Sequence, residues 1–146
     1  MMWWADERAL GLSGFRKRLT RAAGISSVIL VCHPQTWTTV AWIARTAKKA
    51  VDARVDSGAV RVREDGLAEI TLSGVQLAAI MHGLRTACKP DTYVAGWVNF
   101  ADPHLAVARR AYLAMARTVE QVSSTHTGTI PPIVIDDRTP GTGAAS

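Results

Sequence analysis

The sequence predicts an α+β fold: an antiparallel sheet of three to four strands, with a central hairpin over residues 59–72 and helices packed on one face. Three observations carry that expectation. The β-branched run Ser26 to Cys32 (SSVILVC) has the length of a buried strand. Two alternating segments flank Glu64-Asp65-Gly66, the pattern of a hairpin. Further stretches repeat their apolar residues at the spacing of helices with one buried face. Along the chain this divides into an N-terminal helical segment (1–24), an α+β core (25–122) and an extended C-terminal tail (123–146), disordered at its end.

Residues 5–22 mix charge with Leu10, Leu12, Phe15 and Leu19, and Gly24 follows as a stop, so a short helix is expected there despite Gly11 and Gly14. The strand 26–32 breaks at His33-Pro34, because a residue before proline resists helical geometry. A long helix is then expected from about Gln35 to Val55, with Trp37, Val40, Ala44, Ala47, Val51 and Val55 on one face and Ser57-Gly58 ending it.

In the hairpin the loop length follows from the side-chain pattern. A two-residue turn at Asp65-Gly66 would set Val62 against Glu69 and mix the two faces. A three-residue loop with Gly66 left-handed pairs Val62 with Ala68, Val60 with Ile70 and Arg61 with Glu69. One face is then apolar and the other brings opposite charges together, so the second register is expected.

Ser73-Gly74-Val75-Gln76 has the spacing of a capping box. The helix it opens carries Leu77, Ile80, Met81, Leu84 and Cys88 on one face and stops before Pro90. Residues 92–100 (TYVAGWVNF) are expected as a fourth strand, with an aromatic loop as the alternative. Asp102-Pro103 starts a last helix in the favoured N-cap and first-turn positions. Its seam of Leu105, Ala108, Tyr112, Met115, Val119 and Val122 packs on the sheet or a neighbouring helix, with a helix–helix dimer as the alternative. Beyond Ser123 the chain turns to Ser, Thr, Gly and Pro, apart from the apolar island Ile130–Ile135. That island is expected to lie extended on the body of the protein, or to add as a strand to a partner's sheet edge.

Composition narrows the function. With 17 Lys+Arg against 12 Asp+Glu the formal charge is +5, and 48% hydrophobic residues supply a core, which excludes a globally disordered chain. No apolar run approaches the ~20 residues of a membrane span, so integral membrane association is not expected. Two cysteines are too few for a disulfide scaffold. The basic stretch Arg16–Arg21 and the apolar run after it lack a small-residue cleavage site, and a cytoplasmic location is expected.

Cys32 is the one weak catalytic candidate: it ends a strand just before a helix N-terminus, whose dipole favours a thiolate. A thiol nucleophile would need His82 or His104 as its base, and an inert core cysteine is the competing reading. Cys32, His33, His82, Cys88, Asp102, His104 and His126 show no metal-ligand spacing, and the phosphate-loop and serine-elbow motifs are missing, so no metal and no cofactor is expected. The basic residues are more informative. Trp42 falls away from the core stripe of its helix with Arg45 and Lys49 beside it, and the polar side of the hairpin adds Arg61 and Arg63. Arg85, Lys89, Arg110 and Arg117, and the cluster Phe15-Arg16-Lys17-Arg18, extend this basic character. Cations attract phosphate, and an aromatic among them can stack on a base.

The leading expectation is therefore a small non-enzymatic nucleic-acid-binding or regulatory protein, a homodimer, contacting phosphates through Trp42, Arg45, Lys49, Arg61 and Arg63. DNA is preferred over RNA as its partner, with an acidic protein surface as the other candidate. The alternative is a protein–protein interaction module docked by Trp3-Trp4, the seam of the last helix or Ile130–Ile135. A thiol enzyme at Cys32 comes third.

Overall fold

The structure, a computed structural model, describes residues 14–48, 54–88, 102–122 and 130–135. They hold four helices and a four-stranded mixed sheet, in the order α1 (Phe15–Ala23), β1 (Ser27–Cys32), α2 (Pro34–Lys48), β2 (Val60–Val62), β3 (Ala68–Ser73), α3 (Gly74–Cys88), α4 (Asp102–Gln121) and β4 (Ile133–Val134). The α+β class is as expected. The expected fourth strand over residues 92–100 lies outside the described residues.

The sheet departs from the antiparallel arrangement. Its strand order is β2-β3-β1-β4, and β4 joins β1 in parallel, with Leu30 opposite Ile133 and Val31 opposite Val134. The Ile135 N–H extends the ladder to the Val31 carbonyl at 3.1 Å. This strand comes from the apolar island, which adds to the chain's own sheet. Its alternate residues Ile133 and Ile135 are buried, while Val134 between them is exposed. Pro131 and Pro132 bring no N–H to a ladder, which fits pairing that begins only at Ile133.

The hairpin has the expected register: Val60 opposite Ile70, Arg61 opposite Glu69, Val62 opposite Ala68. The Arg63 N–H donates to the Leu67 carbonyl and closes a three-residue loop, in which Gly66 takes φ 87°. Glycine alone adopts that left-handed geometry without strain. Asp65 Oδ1 accepts the Leu67 N–H at 3.0 Å and fixes the loop's second half.

Both arms of the capping box form. The Gln76 N–H donates to Ser73 Oγ at 3.1 Å, and Gln76 Oε1 accepts the Ser73 N–H at 2.8 Å. Two backbone donors at the start of α3 are thereby satisfied. The Gln76 side-chain amide also donates to the Arg54 carbonyl at 2.9 Å. That bond falls in a segment expected to be helical. Helix α2 is described as far as Lys48, residues 54–56 are not helical, and Ser57–Ala59 form a single 3-10 turn. The apolar spacing that reaches Val55 outruns the helix, and the backbone there is held by α3 instead.

The core joins β1 and β3 to the helices. Val28, Leu30, Cys32, Ala68, Ile70 and Leu72 bury together with Ile43, Leu77, Ile80, Leu84 and Met115 in one cluster. Fully burying each leucine or isoleucine is worth about 1.5–3 kcal/mol. On the other sheet face Ile29, Thr71 and Val134 are exposed, whereas Val31 is buried. The α4 seam is spent inside the chain, since Ala108, Tyr112, Met115, Val119 and Val122 all belong to this cluster.

Two features tighten the helices. At Gly83 of α3 an added Cβ would lie 2.5 Å from the Ala44 carbonyl oxygen of α2, so these helices cross with backbones nearly touching. Arg18 of α1 is fully buried, and its guanidinium donates through Nη1 to the buried Tyr112 hydroxyl of α4. Its Cζ stands 5.9 Å from the centroid of the same ring. At the end of that helix Arg21 pairs with Glu120 at 3.2 Å.

Candidate functional site

The residues expected to form one basic face separate into two places. Trp42 and Arg45 share α2. The indole is 40% exposed and stands edge-on to His104 of α4, with ring centroids 5.3 Å apart. Arg45 is exposed, and its Nε donates to the Ala41 carbonyl of its own helix at 3.2 Å. Lys49 lies outside the described residues. Arg61 and Arg63 sit on the hairpin, where Arg61 meets Glu69 at 2.5 Å and Arg63 meets Asp65 at 2.9 Å and Glu69 at 3.8 Å. A hollow of about 480 Å³ at the hairpin tip is lined by Arg61, Val62, Arg63, Glu64 and Asp65, so two cations there face two acids directly.

The register explains the separation. Arg61 and Glu69 occupy the sheet face opposite to Ile70, and Ile70 buries with Val40, Ile43 and Ala44 of α2. Sheet and core therefore stand between the hairpin arginines and the helix that carries Trp42.

Positive charge converges instead between α1 and α3. A cleft of about 830 Å³ is lined by Phe15, Arg16, Lys17, His82, Arg85 and Thr86, together with Gly14 and Leu19. Local geometry explains how these residues meet. Arg18 and Ala22 point into the core and turn the next positions of α1, Arg16 and Lys17, outward. On α3 the buried face of Leu77, Ile80, Met81 and Leu84 leaves His82 and Arg85 half-exposed, one turn apart and facing α1.

Phe15 organises the wall. Its ring meets His82 edge-on at 5.4 Å and lies 6.4 Å from Tyr112, and the Arg85 guanidinium sits over it with Cζ 4.1 Å from the centroid. An arginine over an aromatic face is held by the ring quadrupole, and the ring limits its rotamers. The described lining thus offers three permanent cations, one imidazole and a hydroxyl, and no carboxylate. A mobile cation on a lone helix is easily neutralised by solvent; several held around one concavity focus their field on it. The sequence signal for this site was present in Phe15-Arg16-Lys17 and in the proximity of His82 to Arg85. What it lacked was their meeting.

Of the two thiols, Cys32 is buried and Cys88 half-buried. Cys32 is 2% exposed, on the core face of β1 opposite Ala68, which is where an inert structural cysteine sits. Burial pushes the Cys88 thiol up to about 11, with Arg109 pulling it back in part, and its Sγ stands 3.8 Å from the Leu105 carbonyl. His33 is exposed at the end of β1. Among the described residues no three His, Cys, Asp or Glu side chains gather as metal ligands, and no helix is long and apolar enough to cross a membrane. Comparison with protein-family models, with curated proteins and with solved structures finds no match for this chain.

Proposed function

We propose that this is a small non-enzymatic nucleic-acid-binding protein that takes backbone phosphates in the cleft between α1 and α3. One observation carries the reading: Arg16, Lys17 and Arg85 converge with His82 on a single concavity beside the Phe15 ring. Phosphate contacts of this kind supply affinity that is independent of sequence, through release of condensed counterions. Trp42 and Arg45, exposed on α2, are outlying contacts in this reading, whereas the acid-paired Arg61 and Arg63 are not part of it. DNA as the natural partner, a regulatory role and a cytoplasmic location belong to the same proposal. A homodimer would need a surface other than the α4 seam, which is already buried within one chain.

The test is a fluorescence-anisotropy titration of labelled DNA at low salt, repeated at rising salt. One to three neutralised phosphates give log K against log salt a slope of about −1 to −3. Joint replacement Arg16→Gln, Lys17→Gln and Arg85→Gln removes binding, while Arg61→Gln with Arg63→Gln leaves it. No binding at low salt, or undiminished binding by the triple variant, overturns the proposal.

A further inference from the structure

The cleft is more than a charged patch, and its volume and its aromatic wall bear on which form of nucleic acid it takes. The geometry points to a single-stranded ligand: one nucleotide enters between α1 and α3, its phosphate held by Arg16 and Lys17 and its base stacked on the Phe15–Arg85 pair. This rests on the reading of the cleft as a phosphate site and adds the substrate class.

The argument is one of shape and surface. A volume of about 830 Å³ lies within the range of small-ligand pockets, with room for a whole nucleotide. A duplex keeps its bases inside the stack and presents phosphates along a convex ridge, so it can touch the rim of such a cleft but cannot fill it. An unpaired nucleotide can fill it, and once inside it needs a flat apolar surface for the base. The Arg85 guanidinium, its Cζ 4.1 Å above the Phe15 centroid, layers on the ring as a base would, and His82 meets the ring edge-on. Bases stack on aromatic rings and on arginine planes alike. Leu19 adds hydrocarbon to the wall, and Thr86 adds a hydroxyl.

The experiment compares a labelled single strand with the same strand annealed to its complement, using the full chain at low salt. It then displaces the bound single strand with either a mononucleotide or inorganic phosphate. The single strand is expected to bind more tightly than the duplex, and the mononucleotide to compete at about tenfold lower concentration than phosphate, because stacking adds to the charge contact. Phe15→Leu, which keeps hydrocarbon against Tyr112, is expected to bring the mononucleotide and phosphate to nearly equal competing concentrations. Equal binding of both probes, with phosphate competing as well as the mononucleotide, overturns the single-strand assignment while leaving the phosphate site standing. Failure of both probes to bind overturns the two together. Should Phe15→Leu not fold, the wild-type comparison of the two competitors still decides.

Discussion

Gly83 of α3 meets Ala44 of α2 backbone to backbone, with room for a hydrogen and none for a methyl: an added Cβ would stand 2.5 Å from the Ala44 carbonyl oxygen and 2.8 Å from its Cα. Gly83→Ala is expected to force the helices apart and cost about 1–3 kcal/mol, the usual range for overpacking a tight site. Urea unfolding measures it. Gly58→Ala is the control, since no atom lies within 4 Å of its added Cβ.

The buried Arg18 depends on α4. Tyr112→Phe removes the hydroxyl that accepts from its Nη1 while preserving the ring. The guanidinium then loses an acceptor in a dry environment, at an expected cost of about 1–3 kcal/mol. Arg18→Met, alone and in the same background, shows how much of that loss belongs to the contact between Arg18 and Tyr112. Denaturant titration of the single and double variants gives the coupling.

At the start of α3, Ser73→Ala removes one arm of the capping box and is expected to cost about 1 kcal/mol. Gln76→Ala removes the other arm together with the bond to the Arg54 carbonyl. It therefore also loosens residues 54–56, and faster amide exchange at Ser57–Ala59 is the signature that separates it from Ser73→Ala.

Gly66 is tested by Gly66→Ala. A φ of 87° places an L side chain in the left-handed region, at a cost of about 1–2 kcal/mol. Gly66→Asn is expected to recover much of the loss, because asparagine tolerates that region. The midpoint of thermal unfolding orders the three proteins.

Cys88 gives a pH dependence. Its thiol ordinarily loses its proton near 9.0, but burial holds it up to about 11 in the folded chain. Between those values the unfolded chain releases a proton that the folded chain retains, so this group's contribution is complete below pH 9 and is lost as the pH rises to 11. The loss amounts to roughly 2–3 kcal/mol. Cys88→Ala removes it, so the difference between wild type and variant should shrink over that interval when stability is followed by urea unfolding.

What could be read from the chain beforehand was local. The hairpin register follows from alternation and from the opposition of Arg61 and Glu69, neighbours only eight positions apart. The capping box spans three positions, and the bond between its members is set by helix geometry wherever such a helix begins. What escaped was decided at a distance. Arg18 reads as a surface cation, and its buried contact is with Tyr112, 94 positions later. Apolar spacing carries the second helix as far as Val55 because a periodicity has no means of registering that Gln76 will claim the Arg54 carbonyl. The basic site shows the same limit. Trp42 and Arg45 are neighbours on one helix and were legible as a pair, whereas the convergence of Phe15 with His82 and Arg85 depends on how α1 docks against α3.

The parallel pairing of β4 with β1 also fixes the order of events during synthesis. On the ribosome, β3 can join β1 some forty residues after β1 emerges, since Ser27 meets Ser73, but the other edge stays bare until Ile133 clears the exit tunnel, about a hundred residues after Leu30. Closing so long a span carries the entropy of a large loop and makes the final docking a slow, non-local step. Between the synthesis of Leu30 and that of Ile133 the Val-Ile-Leu-Val strand awaits its β4 partner, and an unpaired strand edge is the kind that chaperones bind.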